Sequence, residues 1–248
     1  MNDIHSKIDT DRFGFKIGKT DGSIFENNIS ETMSLLAKKD YRLIIARVDM
    51  YNIELINKME ESGFMIKDSQ ITYKFNLERY NFDSQHYDSS VDIRDFERSD
   101  INHLVNMAKD SFNGYGHYFA NKDLDRKKCL EVYEDWAYKS CVDPNVADKI
   151  IVACDSNSKP IGYLSFKIKK DQSGKKYAAG GMGAVSPESR GLGVFPRILL
   201  AGLGWGKNIG LDWEEHNVIV NNFPVNRSMN KLGFLPGNPV FTMHCWIK

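Results

Sequence analysis

The stretch Val185–Phe195 (VSPESRGLGVF) gathers the residue types best suited to holding a charged ligand. Gly191 and Gly193 free the backbone to present successive N–H groups where a helix begins. Such an end attracts phosphate through unsatisfied donors and the helix dipole. Arg190 adds a fixed positive charge, and Pro196 suits a first helical turn because its missing N–H costs little there. An ordinary strand–helix turn would read the same way. No GK[ST] follows, so this is not a Walker loop, and the spacing is not that of a GxGxxG dinucleotide fingerprint.

Proton transfer would fall to histidine, the side chain that titrates nearest neutrality. His244 lies on the last apolar run (VFTMHCWI) and faces either a cleft or the core. His117 sits in an aromatic loop with Tyr115, Tyr118 and Phe119, rings that either stack on a substrate or plug the core. His5, His86, His103 and His216 receive no role. The four cysteines (Cys129, Cys141, Cys154, Cys245) lie far apart, with no CxxC pair. They read as free thiols of a reducing compartment, and no metal site is expected.

Helical spacing (i, i+4, i+7, i+8) runs through Ile29, Met33, Leu36 and Ala37, with Asn28 as cap and Glu31 three residues on. Arg42–Val48 reads as a strand, Asn52–Ser62 as a helix stopped by Gly63, and Ile71–Leu77 as a further extended stretch. Residues 78–90 are polar and aperiodic, as a linker would be. Beyond them the pattern predicts a short strand at 91–93 and helices at 100–112 and 127–140, with a loop at 114–123. Strands at 149–154, 161–169 and 175–185 form an antiparallel series. Helices at 196–207 and 224–232 then alternate with strands at 218–220 and 240–247. The order is α+β.

With 33 basic and 33 acidic residues the formal net charge is zero, which argues against a nucleic-acid-binding role. No apolar run reaches the ~18 residues of a membrane span, and the first residues lack the apolar core of a secretion signal. A soluble, cytoplasmic protein is expected.

Downstream of the glycine turn, Asn222 precedes Gly233-Phe234 by eleven positions, with a helix between. A strand, an RGxG turn, a helix, a strand and then Asn…GlyPhe resemble the GNAT superfamily of N-acyltransferases over roughly residues 91–248. The resemblance implies a GNAT fold with a mixed central sheet and acyl-CoA as co-substrate, without a metal. In that family an R/Q-x-x-G-x-G/A turn binds the pyrophosphate of CoA. Here it reads Arg190, Gly191, Leu192, Gly193, Val194 and Phe195, with Phe195 in place of the last small residue. The strand Met182, Gly183, Ala184, Val185 would pair with the pantetheine, one N–H polarising the thioester carbonyl, and Asn222 would complete the cofactor side. The family's proton-donating tyrosine, four residues before the GlyPhe glycine, is replaced by Met229. His244 is left as the candidate catalytic residue, and Tyr115, His117 and Phe119 as candidates for the acceptor.

The interval recurs: Asn52 precedes Gly63-Phe64 by eleven residues, with Met59 where Met229 stands in the second instance. Residues 1–85 therefore read as a truncated GNAT-like half unit without a glycine turn, placed before a complete domain at 90–248. That layout resembles the sugar-nucleotide N-acyltransferases of the dTDP-fucosamine and anthrose pathways. It implies acyl transfer to the amine of a dTDP-linked 4-amino-4,6-dideoxyhexose. Acylation of a protein or small-molecule amine, and a CoA-binding module without turnover, are the alternatives.

Overall fold

The structure is a computed structural model that describes residues 3–81 and 91–247. Its chain divides into two compact units that interleave in sequence. The first comprises Met1–Ile71, Gly114–Cys129 and Asn238–Lys248; the second comprises Thr72–Asn113 and Leu130–Gly237.

In the first unit, strands β1 (Ile17–Thr20), β2 (Leu43–Asp49) and β9 (Leu235–Trp246) lie side by side. β1 and β2 run parallel, whereas β2 and β9 are antiparallel from Leu43↔Trp246 to Asp49↔Val240. Period-two alternation sorts their side chains. Ile44, Ala46, Val48, Met243 and Cys245 face a core built with helices α2 (Ile29–Lys38) and α3 (Ile53–Glu61). Arg47, Thr242 and His244 fall on the opposite face by the same alternation. Asn28 caps α2 as its sequence predicts, accepting a hydrogen bond from the Glu31 N–H; Asn52, expected as the first helical residue, instead caps α3 by accepting from the Leu55 N–H. Gly63, at φ +91°, ends α3 in the left-handed region.

The second unit carries strands β4 (Asp92–Asp95), β5 (Lys149–Cys154), β6 (Pro160–Lys170), β7 (Lys176–Val185) and β8 (Trp213–Ile219) in that spatial order. Pairing is antiparallel from β4 to β7 and parallel between β7 and β8. Helices α4 (Ile101–Phe112) and α7 (Val194–Asn208) supply its main apolar faces. Strand β3 (Met65–Asn76) starts in the first unit and ends in the second, beside β8, where the Thr72 hydroxyl donates to Asn217 Oδ1 at 2.7 Å.

The repeated Asn…GlyPhe interval is realised as β2–α3–β3 and β8–α8–β9, with α8 at Phe223–Lys231. Each instance gives up its last strand: β9 pairs with β2, and β3 lies beside β8.

Several expectations are corrected. The aromatic loop holds a short helix, α5 (Gly116–Ala120), whose neighbouring glycines at 114 and 116 hid it from the periodicity. Helix α1 (Lys7–Phe13) and strand β1 escaped the pattern because both are short and α1 leaves Ile8 exposed. The strand expected at 218–220 is β8, beginning at Trp213; its inward positions are Glu214 and His216, polar residues that break the apolar alternation. Strand β9 begins at Leu235, five residues before the predicted start, in a stretch interrupted by Pro236 and Pro239. The predicted linker, residues 78–90, opens in a 3-10 turn (Leu77–Arg79) that takes in the last residue of the extended stretch, and residues 82–90 lie outside the described part.

Candidate functional site

The parallel pairing of β7 and β8 stops early. Tyr177, Ala178 and Ala179 pair with Trp213, Glu214 and Glu215, and beyond them the strands part although both continue. The cause lies in β7 itself. Opposite Leu164–Phe166 of β6 its register slips by one residue between Gly183 and Gly180, a β-bulge that bends the strand. Two glycines permit it: a Cβ at Gly181 would lie 2.6 Å from Ser165 Oγ, and one at Gly180 would lie 1.9 Å from His216 Nδ1. Ser165 donates to the Met182 carbonyl at 3.1 Å, pinning the bulge.

The open strand edge leads to the glycine turn. Gly191 (φ +81°) and Gly193 (φ +73°) both take left-handed backbone, and a Cβ on either would meet nothing within 4 Å. Helix α7 starts at Val194 with no side chain capping it, so its first N–H groups lack helical partners. Arg190 is exposed; it donates to the Val185 carbonyl (3.3 Å) and to Ser111 Oγ (3.2 Å), which leaves three of its five donors outward. This geometry revises the motif register. Phe195 is already inside α7, and the two left-handed residues are Gly191 and Gly193, so the R/Q-x-x-G-x-G/A pattern falls on Glu188–Gly193. The departure at Phe195 disappears, and Glu188 instead occupies the place of Arg or Gln.

At the closed end of the split stands His216, which sequence reasoning passed over. Its Nε2 lies 2.7 Å from Glu214 Oε1, and the rings of Phe166 and Phe234 meet the imidazole edge-on. Glu214 is completely buried, and its Oε2 has no hydrogen-bond partner. Burial pushes the Glu214 carboxyl above its ordinary range, with His216 opposing. The signal that could have found the pair is the i, i+2 spacing of Glu and His beside an apolar Val218-Ile219.

Other predicted residues fall in the first unit. His244 is buried, and both its ring nitrogens are occupied: Nδ1 by Asn121 Nδ2 at 2.9 Å and Nε2 by His117 Nδ1 at 3.0 Å. Asn121 Oδ1 accepts from the Asp123 N–H and from Trp246 Nε1, which orients its amide so that Nδ2 donates to His244. His244 Nε2–H therefore donates to His117, and the His117 proton resides on Nε2. Burial depresses both imidazoles, with Lys67 and Lys19 adding to the effect at His244, whose pKa falls to about 3. Tyr115 and Phe119 are half-buried beside this pair, whereas Tyr118 enters the core, stacked on Phe13 and donating to Asp9 at 2.8 Å.

In the second unit Asn222 opens α8 without a side-chain cap, unlike Asn52 in α3, and Met229 is buried. Met182 and Ala184 point into the core, and Gly183 and Val185 are half-buried. Among the described residues no group of three or more His, Cys, Asp or Glu side chains is placed to hold a metal, and no helix is long and apolar enough to cross a membrane.

No protein-family model matches the chain, and no curated protein sequence matches it. Solved structures do. A GCN5-related N-acetyltransferase from Sphaerobacter thermophilus superposes with a TM-score of 0.62 at 12% identity, covering 89% of this chain and 67% of the other. One from Kribbella flavida gives 0.60 at 12% identity, covering 93% and 81%. A tandem GNAT protein from the clavulanic acid biosynthesis pathway gives 0.59 at 14% identity, covering 89% and 69%. The fold is thus the mixed α+β GNAT fold.

Proposed function

We propose that this chain is an acyl-CoA-dependent N-acyltransferase. The observation that carries the reading is the split between β7 and β8 running into an uncapped, glycine-led helix end. A parted edge offers backbone donors and acceptors to an extended pantetheine, and the helix end offers N–H groups to a pyrophosphate. The residues that would hold the cofactor are Met182, Gly183, Ala184 and Val185 on the strand, Arg190, Gly191, Leu192 and Gly193 at the turn, Val194 and Phe195 at the start of α7, and Asn222. A β7 N–H placed at the thioester carbonyl would stabilise the oxyanion as an amine attacks, and CoA leaves as the thiolate.

His216 bounds the acyl end. Within the first unit, His244 holds the tautomer that leaves His117 Nε2–H as a donor. Residues 1–85 are a truncated copy of the half unit that is complete at 90–248, and the acceptor is a dTDP-linked 4-amino-4,6-dideoxyhexose.

Thiol release from acetyl-CoA and longer acyl-CoAs, with and without dTDP-amino sugars, tests the reading. Sugar-dependent release supports it, and release dependent on another amine would replace the acceptor alone. The buried thioether of Met229, where the resemblance places a proton donor, favours a second reading, a CoA-binding module without turnover. CoA binding with no transfer to any amine would establish that alternative.

A further inference from the structure

The second unit holds an open pocket of about 540 Å³, a volume typical of small-molecule sites. It lies where β7 and β8 begin: Lys175 precedes one strand, and Asp212 and Trp213 lead into the other. The split opens after Ala179 and the glycine turn follows Val185, so both lie toward the other end of β7.

The lining combines apolar surface with positive charge. Leu77 and Leu211 are buried, Trp213 is half-buried with its ring stacked on Tyr177 at 4.7 Å, and Leu235 is 63% exposed. A hydrocarbon seated there would take Leu235 and the Trp213 edge out of water, a favourable change.

Four cations line the same pocket from four separate segments: Lys74 near the end of β3, Arg79 in the 3-10 turn after it, Lys175 before β7 and Lys207 near the end of α7. Two acids share the lining. Asp212 is turned to the sheet, its Oδ2 accepting the Lys176 N–H at 2.9 Å, and Glu78 alone leaves the balance positive. Clefts lined by one sign of charge concentrate counter-ions. Two of the cations are engaged: Lys74 lies 3.5 Å from Glu215 Oε2 and over the Trp213 ring, and Lys207 donates to the Tyr80 carbonyl. The side chains of Arg79 and Lys175 form no hydrogen bond or ion pair among the described residues, so their charges and donors are uncommitted.

We infer that this pocket binds a small amphiphilic anion, a phosphate or carboxylate that carries a hydrocarbon body. Arg79 and Lys175 take the head group, and the body lies on the leucines and Trp213. The site stands whether or not the chain transfers acyl groups, because it needs neither the glycine turn nor the split.

Octyl phosphate is the probe. Octanol, with the body and no charge, and inorganic phosphate, with the charge and no body, are the controls. Isothermal titration calorimetry on the full chain should show octyl phosphate binding at least tenfold tighter than either control. The double variant Arg79→Gln with Lys175→Gln, and separately Leu235→Asn, should each weaken it at least tenfold while leaving CoA affinity unchanged. All three side chains are exposed, so both variants keep the fold, which circular dichroism verifies. Absent octyl phosphate binding, equal binding of octanol or of inorganic phosphate, or unchanged affinity in either variant overturns the site.

Discussion

Replacing Gly180 by alanine puts a single methyl group where the structure has least room for one. The new Cβ would lie 1.9 Å from His216 Nδ1, 2.4 Å from Cε1 and 2.9 Å from Cγ. The ring has no easy retreat, since Phe166 and Phe234 flank it with centroids 5.9 and 5.6 Å away, and Glu214 holds its Nε2. Overpacking of this kind costs about 1–3 kcal/mol. Displacing the imidazole also strips Glu214 of its one partner, adding about 1–3 kcal/mol for an orphaned buried acceptor. The sum, ~2–6 kcal/mol, corresponds to a fall in Tm of roughly 4–24 °C for a chain of this size. Circular dichroism during thermal unfolding reads the loss directly. A second background isolates its cause: in His216→Ala the methyl group meets empty space, so Gly180→Ala should cost about 1–3 kcal/mol less there. A neutral Gly180→Ala, or a penalty identical in both backgrounds, would show that His216 does not wedge the split.

Three further outcomes are expected. Arg190→Ala should weaken CoA binding about tenfold by calorimetry with an unchanged far-ultraviolet spectrum, as for one charged hydrogen bond to phosphate; unchanged affinity rejects the phosphate turn. The ring proton shifts of His117 and His244 should stay flat by NMR from pH 8 to pH 5, because burial depresses both pKa values, that of His244 to about 3. An imidazole depressed on folding contributes stability that is complete above its unfolded pKa of ~6.5 and lost as pH falls toward the folded value, since the unfolded chain takes up the proton first. Titration of either ring near pH 6.5 contradicts the buried pair. Finally, a fragment of residues 1–85 should show no cooperative unfolding, because β2 depends on β9 for seven ladder pairs; a sharp transition in that fragment refutes the shared-strand account.

Legibility followed the length of each periodic signal. Helix α2 declared itself through apolar spacing and its Asn28 cap, α3 through apolar spacing and Gly63, and the β5–β6 hairpin through two apolar runs about the turn DSNSKP. Where side chains broke the period for a purpose, the reading failed. Strand β8 puts Glu214 and His216 where apolar residues belong, so its first five residues passed as loop and the buried pair went unseen. The glycine turn was found, but its register needed backbone angles: an RGxG string cannot say which glycine is left-handed, nor that Phe195 already lies inside a helix.

What the chain's residues determine unaided is local: where helices are capped, where Gly63, Gly191 and Gly193 free the backbone, and that the Asn…GlyPhe interval occurs twice. Each depends on groups within a few positions of one another. Pairing between β2 and β9 joins residues almost two hundred positions apart, and so does the meeting of Arg47 with Thr242. His117 reaches His244 across 127 positions. No spacing encodes such contacts, because burial chooses among many alternative pairings and the selected one exists only once the sheet has closed. The parting of β7 from β8 is of the same kind: two adjacent glycines permit a bulge, but the packing of Ser165 and His216 decides that it forms.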